Sequence, residues 1–181
     1  MENFEQLKKG LVTHLVDHAL RTDGPFQLSS GGWSDWYLDG RQTTYDGDGG
    51  RLVGSCVASI LSDRVTAVGG LTMGADPVAI ATAIVSPGLK SFSIRKEEKA
   101  HGVGGRVVGP VTHADVAAIV DDTTTTGASL VESAKVLASE GIDVAQAIVV
   151  VDRSGGAARR AMRDLGIPFH AVVVPGDLGV A

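Results

Sequence analysis

The chain is poor in cysteine, in aromatic residues and in excess positive charge, and each shortage excludes something. A single cysteine, Cys56, leaves no internal disulfide and no cysteine-based zinc site. Cys56 falls within an apolar helical pattern and reads as a buried structural thiol. Aromatics make up 4% of the residues, and the net charge is −5. The basic residues form no stripe, which argues against a nucleic-acid or membrane-surface partner. No apolar run reaches transmembrane length and no charged-then-apolar leader opens the chain, so a soluble cytoplasmic protein is the expectation. Neither a Gly-x-x-x-x-Gly-Lys-Ser/Thr phosphate loop nor a Gly-x-Gly-x-x-Gly dinucleotide turn is present.

What is present fits one globular domain over residues 1–181, with 44% hydrophobic residues and 24 glycines. Helical spacing of Phe4, Leu7, Leu11, Leu15 and His18 predicts a helix over residues 3–21, stopped by Asp23-Gly24-Pro25. Residues 26–41 suggest two short strands around Gly31-Gly32, and a second helix is expected over 49–62. From there strands alternate with helices: strands at 67–68, 89–95, 107–108, 116–120, 142–151 and 171–174, helices at 76–85, 127–139 and 155–165. Near-continuous Val, Ile and Ala in the strands indicates a mostly parallel sheet covered by helices on both faces, an α/β fold. Residues 1–45 do not alternate in this way and are expected to form an N-terminal helix and hood over the 46–181 core.

Two segments carry chemistry. In Ala118-Ile119-Val120-Asp121-Asp122-Thr123-Thr124-Thr125-Thr126-Gly127-Ala128-Ser129, a buried strand ends in paired carboxylates, a threonine loop and a helix start. Backbone N–H groups and hydroxyls at such a loop suit a phosphate, while the carboxylates suit sugar hydroxyls. A phosphate and a diol together describe a ribose 5-phosphate. In Arg95-Lys96-Glu97-Glu98-Lys99-Ala100-His101-Gly102-Val103-Gly104-Gly105, a basic run turns glycine-rich and reads as a mobile loop. Arg95, Arg153, the Met73–Asp76 turn and the Asp121–Thr126 run all fall just past strand ends, where open parallel sheets bind ligands. His14 and His18 stand four apart on the first helix, but with no third ligand nearby in sequence they read as a helix face.

The first segment resembles the signature of the type I phosphoribosyltransferases, which bind phosphoribosyl pyrophosphate (PRPP). The second is similar to the catalytic loop of the orotate phosphoribosyltransferases, whose mark is Arg-Lys-Glu-x-Lys-x-His-Gly. The resemblance implies the type I phosphoribosyltransferase fold and transfer of the phosphoribosyl group of PRPP to orotate. It implies that Asp121 and Asp122 hold the ribose hydroxyls. It places the 5-phosphate on the backbone of Thr123, Thr124, Thr125, Thr126, Gly127 and Ala128, with the Thr125, Thr126 and Ser129 hydroxyls.

The pyrophosphate would meet Gly74 and Ala75, Mg²⁺, Arg95, Lys96 and His101, with Lys99 as the main catalytic cation. Mg²⁺ would sit mostly on substrate oxygens and water, so no protein metal cage is expected. Arg153, Tyr37, Leu38, Ser30 and Thr125 are the expected orotate contacts, a guanidinium suiting a carboxylated, diketo pyrimidine. The resemblance also implies a homodimer in which the loop reaches the neighbouring subunit's site. Many family members carry a Lys where this chain has Ser29 and another where it has Gly74. A transferase for a different base would share the PRPP signature but not the Arg95–Gly105 loop. A PRPP-sensing regulator would be expected to lack Lys99.

Overall fold

The computed structural model describes residues 3–27, 31–98 and 105–181. Helix α1 (Phe4–His18) begins at Asn3, whose side chain accepts from the Gln6 backbone N–H while the Gln6 side chain returns a bond to Asn3. This reciprocal cap satisfies two otherwise orphaned N–H groups. The chain then forms four two-residue strands: β1 (Leu20–Arg21), β2 (Phe26–Gln27), β3 (Trp33–Ser34) and β4 (Tyr37–Leu38). β1 pairs with β4 and β2 with β3, both antiparallel, and together they make the hood. Two helices follow, α2 (Arg41–Thr44) and α3 (Gly47–Ser59), the latter capped by Asp46 accepting from the N–H groups of Asp48 and Gly49.

The core then alternates: β5 (Ala67–Leu71), α4 (Ala75–Val85), β6 (Lys90–Ile94), β7 (Val107–Val108), β8 (Val116–Thr124), α5 (Ala128–Ser139), β9 (Asp143–Asp152), α6 (Ala157–Asp164), β10 (Phe169–Val173) and a 3-10 turn at Pro175–Leu178. The six strands lie in the order β10-β9-β8-β5-β6-β7, all parallel except β7, which runs antiparallel to β6. Because side chains alternate across a strand, β8 feeds two cores. Ala118 and Val120 join Leu11, Leu15, Val53, Val57 and Val78 of α1, α3 and α4. Ala117 and Ile119 join Leu130, Leu137 and Met162 of α5 and α6. No helix among the described residues is long and apolar enough to cross a membrane.

The architecture matches the expected mostly parallel sheet between helices. One boundary differs in a way that matters. β8 continues past Val120 through Asp121-Asp122-Thr123-Thr124, which the sequence pattern assigned to a loop. The register with β9 continues, pairing Asp121 with Val149, Thr123 with Val151 and Thr124 with Asp152. Threonine suits a strand, and the ladder to β9 outweighs the polar composition. On its other side β8 pairs with β5 only as far as Gly69↔Ile119. The carboxylate pair therefore sits on a strand end with one open flank.

Candidate active site

That open flank faces the turn after β5. Gly74 packs directly on the carboxylates: a Cβ there would come within 2.7 Å of Asp121 Oδ1 and 2.5 Å of Asp122 Oδ1. The space that a side chain would fill is thus taken by the acids. The turn itself leads into α4, where the Thr72 hydroxyl donates to Asp76 Oδ2 at 2.5 Å. Ala75 is fully buried beneath it.

Burial is the main force on Asp121. It pushes the carboxyl up to about 7, opposed by the Ser129 hydroxyl, which donates to Asp121 Oδ2 at 2.5 Å. Asp122 is also raised by burial, opposed by the Thr123 N–H that it accepts at 2.7 Å and by the charge of Arg41. Two adjacent carboxyls at a buried strand end hold a proton readily and offer several acceptor oxygens to a diol.

The cleft at this strand edge measures about 450 Å³. It brings together Tyr37, Leu38, Lys96, Gly74, Asp121, Asp122, Thr123, Ser129 and Arg153 from among the expected site residues. Residues 80 or more apart in sequence, such as Tyr37 and Arg153, thereby share one wall because the hood folds over the ends of β8 and β9. Arg95 does not line the cleft. Its backbone N–H donates to the Arg106 carbonyl at 2.8 Å and its guanidinium faces the Gly105 carbonyl.

The end of the threonine run stands beside the cleft rather than in its wall. Thr124 is buried, its hydroxyl accepting from the Gly127 N–H at 2.9 Å. Thr125 and Thr126 are exposed, and the Thr126 hydroxyl accepts from the Ala128 N–H at 3.2 Å. Gly127 starts α5 with φ +84°, and a Cβ there would meet the Ala158 backbone at 2.8 Å. Both the left-handed backbone and the close approach of α6 require glycine. Lys99, His101 and Ser30 lie outside the described residues.

Sequence reasoning missed Arg41. Its guanidinium is bound to Asp39 at 2.8 Å, which holds that carboxyl below its ordinary value, and both residues line the cleft. Nothing local marks an arginine in a glycine-rich hood. Arg153 forms no ion pair with its neighbour Asp152. Asp152 accepts from the Ser154 N–H at 2.8 Å, and the Arg153 guanidinium lies 4.4 Å over the Trp36 ring. His14 bonds Asp46 at 3.0 Å and Thr43 at 3.2 Å, tying α1 to the start of α3.

A solved orotate phosphoribosyltransferase of Mycobacterium tuberculosis, in complex with Fe(III) dicitrate, superposes with a TM-score of 0.86 at 33% identity, covering 96% of this chain and 99% of that one. A phosphoribosyltransferase from Corynebacterium diphtheriae follows at 0.82 and 31%, covering 97% and 99%. The architecture is therefore that of a type I phosphoribosyltransferase. In sequence, the orotate phosphoribosyltransferase of Streptomyces avermitilis is 36% identical, over 97% of this chain and 99% of its own length. That of Mycobacterium leprae is 36% identical over 97% and 98%. No family model matches the chain. With relatives of this identity over nearly its whole length, the chain belongs to the orotate phosphoribosyltransferase family.

Proposed function

We propose that this cleft transfers the 5-phosphoribosyl group of PRPP to orotate, giving orotidine 5'-phosphate and pyrophosphate, a step of pyrimidine nucleotide synthesis. The observation that carries the reading is the meeting of the Asp121–Asp122 pair with Lys96, Arg153 and Tyr37 across one cleft, in a chain of this family. A Mycobacterium tuberculosis relative has been solved with PRPP, with a TM-score of 0.81 at 29% identity over 96% of this chain and 99% of that one.

Asp121 and Asp122 accept from the ribose hydroxyls. The Thr123–Ala128 backbone with the Thr125, Thr126 and Ser129 hydroxyls receives the 5-phosphate. The backbone at Gly74 and Ala75, with Arg95, Lys96 and His101, receives the pyrophosphate, and Lys99 is the principal cation on it. Arg153, Tyr37, Leu38, Ser30 and Thr125 line the side that takes the base.

As the bond from C1 to pyrophosphate lengthens, positive charge grows on the sugar and negative charge on the leaving group. The chain's task is to position both ends and to neutralise the leaving charge. Ring N1 of orotate arrives as an anion and attacks C1 with inversion, so no general base is needed. The hard carboxylate oxygens of the cleft are compatible with Mg²⁺, which would be held mainly by substrate oxygens and water. When bound it neutralises pyrophosphate charge.

We further infer a homodimer. Next to the cleft, α3 and α4 flank an apolar groove of about 560 Å³ lined by Tyr45, Pro77, Ile80, Ile84 and Val85. Ile84 is 76% exposed and Ile80 53%. At the groove lie Thr44 Oγ1 and Asp76 Oδ1, buried atoms without a hydrogen-bond partner among the described residues. A second copy seated there would pack on α4, the helix that follows the turn at Gly74. The expected place of action is the cytoplasm.

An absorbance assay of orotate with purified protein tests the reaction. Orotate should disappear only when both PRPP and Mg²⁺ are present. No loss of orotate, with PRPP still binding in calorimetry, would replace this reading with a transferase for another base or a PRPP sensor.

A further inference from the structure

Two arginines line the cleft, and among the described residues only one of them is held by an acid. Arg41 is clamped by Asp39, whereas no carboxylate among the described residues pairs with Arg153. Its backbone N–H donates to the Thr124 carbonyl at 2.8 Å, fixing the base of the side chain to the end of β8. Beyond that, its Nε is buried without a hydrogen-bond partner among the described residues. A half-buried guanidinium with no bonded counter-ion needs some other source of order.

Trp36 supplies it. The guanidinium carbon lies 4.4 Å from the indole centroid, within the range of a cation–π contact. Trp36 is itself fixed at three points. Its Nε1–H donates to the Ala181 carbonyl at 2.9 Å, its backbone carbonyl accepts from the Ser34 hydroxyl at 2.8 Å, and its ring packs on the core beneath the hood. The neighbouring Tyr37 ring lies against Phe26, 5.8 Å between centroids. Trp36 does not line the cleft, although Arg153 does.

We propose that Trp36 is a positioning residue: its indole face holds the Arg153 guanidinium flat and leaves the N–H edge free to bind a planar, carboxylated base. This rests on the assignment of Arg153 to the base side of the orotate reaction. An arginine held by a carboxylate would have to give up that partner before binding an anion. One held by a neutral aromatic face keeps its charge and its terminal N–H donors for the substrate. Burial lowers the pKa of Arg153, consistent with a cation placed at some cost and without a counter-ion.

The test compares Trp36→Leu, Trp36→Phe, Arg153→Ala and the double variant Trp36→Leu/Arg153→Ala. Trp36→Leu should raise the KM for orotate about 10-fold, with the KM for PRPP changed less than about 2-fold. Trp36→Phe should recover most of the loss. In the Arg153→Ala background, Trp36→Leu should add little, because the contact it removes is already gone. The arginine Nε–H signal of Arg153 in ¹⁵N NMR should exchange slowly in the wild type and broaden or exchange rapidly in Trp36→Leu.

Equal losses of Trp36→Leu in both backgrounds, or an unchanged Arg153 signal, would overturn the proposal. So would a parallel rise in both KM values with a lower melting temperature, which marks a structural role. If Arg153→Ala leaves the orotate KM untouched, the base-side assignment fails instead. The NMR signal still decides whether Trp36 orders the guanidinium.

Discussion

Asp121 keeps its proton up to about pH 7 because burial at the end of β8 penalises the charged form more than the Ser129 hydroxyl compensates. In the unfolded chain the carboxyl ionises at its ordinary 3.8. Between those values the folded chain holds a proton that the unfolded chain has released. The empty protein is favoured most at low pH and loses this contribution as pH rises from 3.8 to about 7. Asp121→Asn should therefore melt higher than wild type at about pH 8 and lose much of that advantage at about pH 5. The same variant should bind PRPP at least about 10-fold more weakly, since a buried acceptor pair is broken. Equal melting shifts at both pH values would remove Asp121 as the buried titrating group. Lys99→Ala makes the opposite separation: turnover should fall about 100-fold or more while PRPP binding and melting stay near wild type. Near-normal turnover would remove Lys99 from its role. The carboxylate pair was legible because an apolar run that stops at two acids, then hydroxyls and glycine, has few other physical meanings. Arg41 was not, since its place at the cleft depends on how the hood folds over the sheet. Gly74 could be noticed only as a missing lysine. The contact with both acids that excludes a side chain is visible only in three dimensions.

At the scale of elements, α5 links two parts of the site that are far apart in sequence. Ser129, in its first turn, bonds Asp121, and Glu132, one turn on, pairs with Arg106. Arg106 also donates from Nε to the Arg95 carbonyl at 2.8 Å, while the Arg95 N–H returns a bond to the Arg106 carbonyl. The stem from which the Lys96–Gly105 segment departs is thus tied to the helix whose Ser129 bonds Asp121. Glu132→Lys places a like charge against Arg106. The pair is partly exposed, so the expected effect is modest, about a 5-fold fall in kcat with PRPP affinity nearly unchanged. The wild-type advantage should shrink as salt is raised. A loss of PRPP affinity equal to the loss of kcat would mean that α5 as a whole has been disturbed. None of this linkage could be read from sequence, because Arg106 and Glu132 share no local pattern. The extension of β8 through Thr124 was hidden for a related reason. Polar Asp-Asp-Thr-Thr has no strand periodicity of its own and is held by its register with β9.

Among the described residues, α4 leaves an apolar face exposed. Ile80 and Ile84 lie on one side of that helix, a turn apart, beside Tyr45 and Pro77. Exposed apolar grooves of this kind mark association surfaces. Ile84→Glu should yield a monomer by sedimentation, still able to bind PRPP but with little turnover. A dimer that survives the change would move the interface elsewhere. The proposal of a site shared between two copies has a sharper consequence. In a two-fold dimer, each cleft would combine the carboxylates of one copy with the loop of the other. Lys99→Ala and the Asp121→Asn/Asp122→Asn variant are each expected to be nearly inactive alone. Co-expressed, half of the dimers are mixed, and each mixed dimer holds one cleft with intact carboxylates and an intact loop. Activity should return to about a quarter of wild type. If the loop instead served its own copy's cleft, every cleft in the mixture would carry one lesion. The mixture would then stay inactive however well the subunits assembled.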